Sequence, residues 1–443
     1  RAFSLEGHDP MRVSKGFITF WIVLCGCFLL SILSVGLSSD WDVHPQAEWI
    51  ANSMLFYLYF ICIRTVVLMG LSFYEYLNTR ARKQEKAPPL VTIIIPCYNE
   101  QAVIQNSIRS VSKMAYPNIE ILVVDDGSTD STFEKALQMT SAFKVRVVTK
   151  MNGGKSSALN FGIQQALGDF VLCLDADSEL DPLVVSKGIP YFENNPNLAA
   201  VAGSARVGNA RNLLCMFQKL EYIIGLNFHK KAQSALGMVT IVPGPIGLFR
   251  KSALFDVGLY EEDTYAEDCD LTLKLLMKGY EIKYCEEMIA YTEAPLTFYE
   301  LTVQRYRWSR GMIQAIYKNI GRQQRSKEGM GKRNLAILSY MVIETMLIPS
   351  VNFLFAMTTL FVAFKYEGTN LYGPFFIGLI AMDASIAMYS LFTEKRMGPL
   401  FLLSLISRIT YGFSLEIMRF YAMIDEILRI PMKWGSISRR GMK

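Results

Sequence analysis

Two stretches decide the fold, Val91-Thr-Ile-Ile-Ile-Pro-Cys-Tyr-Asn-Glu100 and Ile119-Glu-Ile-Leu-Val-Val-Asp-Asp-Gly-Ser-Thr-Asp130. Each is a short apolar run that stops at polar and acidic side chains, which is typical of a buried strand followed by a loop. Similar runs alternate with helical patterns further along the chain. This alternation predicts a doubly wound α/β domain with a mainly parallel sheet. The further strands are expected at Val145–Thr149, Asp169–Leu174 and Leu198–Val201, and the helices at Gln101–Lys113, Ser131–Thr140 and Lys155–Ala166.

Acidic residues follow three of the predicted strands. The first strand runs into Tyr98 and Glu100, the second into Asp125 and Asp126, and the fourth into Asp175-Ala-Asp177. In open α/β sheets, ligands bind beyond the carboxyl ends of the strands. We therefore expect these acids to meet at one edge of the sheet and to form a ligand site there.

The Asp175-Ala-Asp177 segment is a candidate metal site. Two carboxylates at this spacing can share one divalent cation, whose open positions then take phosphate oxygens. The same pattern also occurs in a solvated turn where an Asp caps the next helix. Its place after a buried strand, beside two other acidic strand ends, favours the metal site.

Three further segments have two interpretations each. The Gly-rich turn Met151–Lys155 opens a helix, so it either binds an anion or simply connects strand and helix. Glu267 and Asp268 precede an amphipathic segment, so Asp268 is either an acid at a helix N-terminus or a catalytic base. The segment Phe298–Ile320 mixes aromatic, aliphatic and cationic side chains, which suits an interfacial helix or plain membrane-surface anchoring.

The composition indicates a membrane protein. Of 443 residues, 51% are hydrophobic and only 19% are charged, and the mean hydropathy is +0.23. A helix that crosses the hydrocarbon core needs about 20 apolar residues. Four runs fit this requirement: Gly16–Ser38, Trp49–Glu75, Asn334–Phe364 and Leu371–Phe392.

Basic residues flank these runs on one side, at positions such as Arg12, Arg80 and Lys395. The positive-inside bias therefore predicts a multi-pass protein of the cell membrane with its α/β domain in the cytosol. Because the net charge of +5 mostly reflects these flanks, we do not expect nucleic-acid binding. The predicted regions are a membrane region (1–79), the α/β domain (80–296), interfacial helices (297–333), two more spans (334–398) and a C-terminal segment (399–443).

Charged residues within the apolar regions need a separate explanation. Arg64 and Glu344 are costly inside a span unless they are paired or face a polar cavity. They are expected either to line a polar channel or to form a structural pair between helices. Residues 399–430 include the charged Arg408, Glu416, Arg419, Asp425 and Glu426, and the tail after them is basic, so we predict an interfacial or re-entrant segment followed by a cytosolic tail.

The motifs PCYNE, VVDDGSTD, GGK, DAD, the Glu267-Asp268 pair and QRYRW occur in this order between about residues 91 and 311. As an ordered set they resemble the processive family 2 inverting glycosyltransferases. That family includes bacterial cellulose, hyaluronan, chitin-oligosaccharide and poly-N-acetylglucosamine synthases. The family usually has Thr-Glu-Asp where this chain has Ala266-Glu267-Asp268, and both acids remain. The resemblance implies a Rossmann-like GT-A fold flanked by transmembrane and interfacial helices.

The resemblance also implies roles for individual residues. Asp268 is the expected general base, with Glu267 beside it, and Mg²⁺ or Mn²⁺ is the expected cofactor at Asp175 and Asp177. The remaining expected residues bind the donor (Pro96, Tyr98, Glu100, Asp125, Asp126, Lys155, Asp175, Gln304, Arg307, Trp434 and Arg439) or the acceptor (Trp308, Gly244 and Pro245).

The expected activity is the polymerisation of a UDP-sugar, first of all UDP-N-acetylglucosamine, into a β-linked exopolysaccharide that crosses the membrane through the same protein. UDP-glucose or alternation with UDP-glucuronate is the alternative donor chemistry. A non-processive transferase that acts on polyprenyl phosphate or another lipid, and a non-catalytic nucleotide-binding scaffold, are the competing classes. The expected partners are the UDP-sugar, the growing polysaccharide and the bilayer, and an accessory membrane or export subunit is plausible for such systems.

Overall fold

The computed structural model describes residues 48–78, 86–209, 211–325, 329–365, 372–394, 396 and 398–431. Its α/β domain is built on one eight-stranded sheet with the strand order β3-β2-β1-β4-β7-β6-β8-β5. The strands are β1 (Val91–Cys97), β2 (Ile119–Asp125), β3 (Val145–Thr149), β4 (Phe170–Cys173), β5 (Ser178–Leu180), β6 (Leu198–Val207), β7 (Gly247–Arg250) and β8 (Glu281–Thr292).

The sheet has a parallel half and a mixed half. Strand β1 pairs in parallel with β2 and β4, and β2 pairs in parallel with β3. Strand β7 is antiparallel to both of its neighbours, β4 and β6, while β8 is parallel to β6 and antiparallel to β5. The predicted doubly wound α/β architecture is confirmed, and the mixed half is an addition to it.

Strands β1 and β4 are buried along their whole length, which explains why they appear in the sequence as continuous apolar runs. In β1, Ile93 and Ile95 belong to the core on one face of the sheet. Ile94, between them, belongs to the core on the other face, together with Val124 of β2. Helices cover both cores, so the carboxyl ends of the strands are left as the open edge.

In the first half of this domain, up to Gln165, the helices lie at the predicted positions. In the second half, further helices add to the layers that cover the sheet. Short 3-10 turns follow two of them, at Met139–Ser141 and Ile189–Tyr191. A π-helical turn, Tyr222–Phe228, joins α6 to α7. The helices are α2 (Ile104–Ser112), α3 (Thr132–Gln138), α4 (Lys155–Gln165), α5 (Val184–Gly188), α6 (Leu213–Glu221), α7 (His229–Ala235), α8 (Lys251–Asp256), α9 (Glu267–Met277) and α10 (Phe298–Arg325).

Long apolar helices flank the domain on both sides in the sequence. Among the described residues, three are long and apolar enough to cross a membrane: Asn52–Asn78, Lys332–Thr358 and Pro399–Ile427. A shorter apolar helix covers Ile377–Thr393. This is the layout of a membrane protein, although the predicted run Gly16–Ser38 lies outside the described residues. The helices are α1 (Glu48–Asn78), α11 (Lys332–Val342), α12 (Ile348–Lys365), α13 (Tyr372–Thr393), α14 (Pro399–Ser407) and α15 (Phe413–Ile427), with π-helical turns at Ile343–Leu347 and Arg408–Gly412.

Charged residues of the apolar helices form ion pairs across helix boundaries. The Arg64 guanidinium donates to both carboxylate oxygens of Glu344, with Nε 2.6 Å from Oε1. Arg408 makes a similar two-point bond to Asp383, with one nitrogen–oxygen distance of 2.8 Å. Pairing removes much of the cost of a charge in an apolar setting. Of the two interpretations of Arg64 and Glu344, the structure shows the pair between helices.

The C-terminal segment forms one continuous helical stretch of 29 residues, long enough to span a membrane. It also lies along α10: Tyr411 and Leu415 share an apolar cluster with Leu301, and Arg310 donates to Glu426 at 2.8 Å. These contacts to α10 suit the predicted interfacial placement, and the length suits a span. The interfacial or re-entrant placement therefore stays a prediction, and the tail beyond residue 431 lies outside the described residues.

Candidate active site

The loops after β1 and β2 are joined to each other by Asn99. Its φ of 55° is in the left-handed region, which Asn tolerates better than most residues. The Asn99 N–H donates to Ser128 Oγ at 3.0 Å, and its Oδ1 accepts from the Thr129 N–H at 2.9 Å. Tyr98, next to it, is 47% exposed. The two loops thus form one surface at the sheet edge, with Tyr98 open to a ligand.

Other predicted donor residues lie at the same edge. Pro96 is buried within β1 opposite Val124, and the Glu100 N–H donates to Thr132 Oγ1 at 2.8 Å. Asp125 is buried, and its Oδ2 accepts from the Thr149 hydroxyl at 3.0 Å. Through burial and these hydrogen bonds, the residues hold the loops after β1 and β2 in place.

Asp126 binds the Gly-rich turn that precedes α4. Its carboxylate accepts from the Gly153 N–H at 3.1 Å, from the Gly154 N–H at 2.7 Å and from Lys150 Nζ at 2.7 Å. One of the two interpretations of this turn was that its N–H groups bind an external anion. In the structure the Asp126 carboxylate accepts hydrogen bonds from these N–H groups. The turn therefore holds the loop after β2 in place, and these two N–H groups are not open to an external anion.

Lys155 lies between a predicted metal ligand and the acid next to the predicted base. Its Nζ is 2.7 Å from Asp175 Oδ1 and 2.9 Å from Glu267 Oε1. Gly244 lies directly against this pair, because a Cβ at Gly244 would be 3.0 Å from Lys155 Nζ and 3.2 Å from Asp175 Oδ2. The structure thus brings together Lys155, predicted to bind the diphosphate, Asp175, predicted to bind the metal, Glu267 beside the predicted base, and Gly244, predicted to contact the acceptor. Pro245 follows Gly244 in the same turn.

Asp268 lies in the first turn of α9, beside this cluster. Its Oδ2 accepts from the Gly244 N–H at 3.3 Å, and its Oδ1 accepts from the Cys269 N–H at 2.8 Å. Burial, reinforced by the negative charge of Glu267, raises the pKa of Asp268 to about 6. Burial would raise the pKa of Glu267 as well, but the Lys155 ammonium outweighs it and lowers that pKa. Two adjacent carboxyls with pKa values pushed apart are typical of an acid–base site, and Asp268 is the one suited to take a proton near neutral pH.

Trp308 of α10 is partly buried and packs against the core on one face of the sheet. The Arg305 guanidinium lies 4.2 Å from the centre of the Trp308 ring and donates to Glu221 at 2.7 Å. Gln304 is buried and accepts from Arg305, so its side chain supports Arg305. Arg307 lies close enough to Glu267 to lower its pKa, as a lesser cause. Trp308 is therefore held in place by a buried cation, and Arg307 faces the acidic cluster.

The comparison with known proteins identifies the family. The sequence model of the family described as Glycosyl transferase family 2 matches residues 92–258. A poly-beta-1,6-N-acetyl-D-glucosamine synthase of Staphylococcus epidermidis is 33% identical over 278 residues, which are 61% of this chain and 67% of that relative. The chain belongs to glycosyltransferase family 2.

Other matches agree with this assignment. A synthase of the same name from Staphylococcus aureus (strain COL) is 34% identical over 277 residues, which are 60% of this glycosyltransferase and 66% of that relative. The aligned part is thus about two thirds of each relative. The solved structure of a mannosyltransferase from Pyrobaculum calidifontis, in complex with GDP-Man and Mn²⁺, covers 91% of this chain and 100% of its own at a TM-score of 0.59 and 18% identity. The expected GT-A fold is confirmed.

The carboxylates of this family 2 glycosyltransferase suit a hard divalent cation. Asp175 and Asp177 offer the oxygen ligands that Mg²⁺ and Mn²⁺ prefer, and Asp175 already attracts the Lys155 ammonium. A second acidic group consists of Glu261, Asp263 and Asp270, whose oxygens lie within 4.8 Å of one another. Lys318 bonds to all three of these acids, with further pairs from Lys274 and Arg322. Three basic side chains of the protein thus balance the charge of this second group, and the metal assignment to Asp175 and Asp177 stays a prediction.

Some contributing residues of this glycosyltransferase were missed in the sequence, and two predicted ones cannot be placed. Lys150, which pairs with Asp126, follows β3 directly, so the rule that ligand residues follow strand ends could have found it. Glu221 has no such signal, because its partner Arg305 is distant in sequence. Trp434 and Arg439 lie outside the described residues.

Proposed function

We propose that this glycosyltransferase transfers N-acetylglucosamine from UDP-N-acetylglucosamine to the end of a growing β-linked exopolysaccharide and passes the product through its membrane helices. The observation that carries the proposal is the cluster of Asp268, Glu267, Lys155 and Asp175 at the sheet edge. The choice of sugar rests on relatives that are named poly-beta-1,6-N-acetyl-D-glucosamine synthases.

The proposed reaction is a direct displacement at the anomeric carbon. Asp268 takes the proton of the acceptor hydroxyl, whose oxygen forms the new bond to the anomeric carbon. The bond from that carbon to the UDP oxygen breaks, and UDP leaves with the electron pair. Lys155 and Arg307 balance the charge that builds on the diphosphate. A divalent cation held by Asp175 and Asp177 would supply further stabilisation of that charge.

The location of the domain follows from the charge distribution. Basic residues flank the apolar runs on the side of the α/β domain, so the domain lies in the cytosol, where UDP-sugars are available. Trp308 on α10 holds the acceptor by stacking its ring on the apolar face of a sugar. In this arrangement, synthesis takes place at the cytosolic end of the membrane helices and the product leaves between them.

A donor panel tests the proposed function. Purified full-length protein in detergent, with Mg²⁺ or Mn²⁺, is incubated with UDP-N-acetylglucosamine, UDP-glucose and UDP-glucuronate, and released UDP is measured. We expect the highest kcat/KM with UDP-N-acetylglucosamine and a ladder of long labelled products on gels. Release of UDP with single-sugar transfer to a lipid would instead identify a non-processive transferase. No UDP release from any donor would overturn the enzymatic proposal.

The pH dependence of the reaction should reflect the ionisation of Asp268. Because its pKa is raised to about 6 and the base must be ionised, kcat/KM should rise tenfold per pH unit below about pH 6 and level off above it. The check is a profile of UDP release between pH 5 and 8, with UDP binding measured at each pH. A flat profile over this range, with UDP still bound, would contradict Asp268 as the base.

A further inference from the structure

Helix α7 lies between the membrane helix α1 and the catalytic domain. Its Ser234 hydroxyl donates to Glu75 of α1 at 2.7 Å and accepts from the Tyr284 N–H of β8 at 2.9 Å. Phe228, just before α7, packs in one apolar cluster with Met69 of α1. The π-helical turn before α7 is a rare form that often occurs at functional sites. Side chains of α7 are thus placed between the site of transfer and the membrane helices.

Two adjacent lysines of α7 have different surroundings. Lys231 is 5% exposed, and its Nζ lies 2.9 Å from Glu286 Oε2. Lys230 is 6% exposed, but in the described part of the chain its ammonium has neither an ion pair nor a hydrogen bond. A lysine that is largely withdrawn from solvent and has no partner in the protein is costly. A ligand whose oxygens accept hydrogen bonds from its ammonium would offset this cost.

The charged group that acts on Lys230 is Asp268. Burial lowers the pKa of Lys230 to about 8, and the negative charge of Asp268 opposes this effect. Lys155, the other lysine at this site, is already bonded to Asp175 and Glu267.

One turn along α7, Gln233 Oε1 accepts from the Thr240 N–H at 3.2 Å, and Thr240 begins the loop that leads to Gly244, whose N–H donates to Asp268 at 3.3 Å. Lys230 is therefore a largely buried donor within electrostatic reach of the proposed base, on the helix that contacts both the loop beside Asp268 and the membrane helices.

Polar groups continue from Lys230 into the membrane helices. On the next turn of α7, Gln233 Nε2 donates to the Tyr340 hydroxyl of α11 at 3.2 Å. His229, beside Lys230, lies within electrostatic reach of Arg64 and Glu344, which form the ion pair between helices. An acceptor chain that leaves Asp268 along α7 would therefore meet hydrogen-bonding side chains from its first sugar onward.

We propose that Lys230 is a positioning residue for the acceptor, whose sugar oxygens accept hydrogen bonds from its ammonium while Asp268 takes the proton from the attacking hydroxyl. The inference rests on the proposed function and adds a specific contact to it. An ammonium has three donors and no acceptor, so it can hold two sugar oxygens and still face Asp268. The donor sugar, held by the Lys155 cluster, needs no contact with Lys230.

The test compares Lys230→Met with the matched variant Lys231→Met, which removes the same charge one residue away. Each purified full-length protein is assayed at saturating UDP-N-acetylglucosamine with increasing concentrations of an N-acetylglucosamine oligosaccharide. For Lys230→Met we expect a rise of about 10-fold or more in the KM for the oligosaccharide, shorter products and unchanged UDP binding. For Lys231→Met we expect an unchanged KM and a lower unfolding temperature, because Glu286 loses its partner.

A second variant, Lys230→Gln, keeps a hydrogen-bond donor without the charge and should fall between the wild type and Lys230→Met. It also replaces Lys230→Met as the deciding variant if the latter does not fold. An unchanged acceptor KM and product length would overturn the proposal, as would an equal loss of UDP binding, which would make Lys230 a donor contact. A wild-type protein that releases no UDP would instead refute the proposed function, so the two failures are distinguishable.

Discussion

Replacement of Asp268 by Asn is expected to lower the rate of sugar transfer by at least about 100-fold, the usual contribution of a general base. Asn has the same shape and can still accept one of the two backbone hydrogen bonds that Asp268 receives from Gly244 and Cys269. It cannot take a proton from the acceptor. UDP binding should change little, because the Lys155 contacts to Asp175 and Glu267 do not involve Asp268.

The same replacement should leave the protein as stable as the wild type at neutral pH. The folded state raises the pKa of Asp268 from 3.8 to about 6, so its ionised form is less favourable in the folded than in the unfolded chain. This cost is absent below about pH 4, grows as the pH rises and is complete above about pH 6. Asn carries no charge and avoids the cost, which offsets the one hydrogen bond that it loses.

Asp263→Asn is the matched control, since Asp263 is an exposed acid in the loop before α9 and, among the described residues, forms an ion pair with the half-buried Lys318. Exposed ion pairs contribute little, so its activity should stay near that of the wild type. The measurements are UDP release, UDP affinity and the unfolding temperature of all three proteins. An active Asp268→Asn variant would show that Asp268 is not the base. A variant that is inactive because it is unfolded would contradict the expected stability at neutral pH.

The parallel half of the sheet could be predicted from the sequence because its strands are short and mostly apolar, and β2 and β3 each have a single charged residue before their apolar run. The observed bounds of β2 and β3 are those predicted. Strand β7 was missed because it has four residues and follows a Pro-Gly-Pro turn, and β8 because charged residues interrupt it. The place of β7 between β4 and β6 depends on antiparallel pairing between distant segments, for which the local sequence has no signal.

The candidate site shows the same division between local and long-range information. The order of motifs identified the family, and the strand ends located Asp126 and Asp175. Sequence could not reveal that Asp126 occupies the N–H groups of the Gly-rich turn, because that contact joins two loops. Lys230 was missed because His-Lys-Lys in a helix is typical of a solvated face, and only the packing of α7 against α1 buries it.

Gly311→Ala should produce the second large effect, a loss of at least about 10-fold in transfer together with lower stability. Gly311 of α10 lies directly against the residues that lead into α9. A Cβ added there would be 2.5 Å from the Ala266 nitrogen and 2.7 Å from the Tyr265 carbonyl carbon. Backbone cannot move aside as a flexible side chain can, so the two helices must separate, at a cost of about 1–3 kcal/mol. Because Glu267 and Asp268 follow Ala266, and Trp308 precedes Gly311 by one helical turn, the separation moves the proposed base away from the proposed acceptor platform.

Gly321→Ala separates this steric effect from the general effect of alanine in a helix. Gly321 lies in the same helix, and its added Cβ would be 3.7 Å from the nearest atom, a nitrogen at the flexible end of the Arg325 side chain. Alanine is favoured over glycine in a helix by about 1 kcal/mol, so Gly321→Ala should be active and slightly more stable. Unfolding temperature and UDP release are measured for both variants. Equal behaviour of the two would show that α9 and α10 need not be in close contact for transfer, whereas a loss confined to Gly311→Ala would show that this contact sets the distance between base and acceptor.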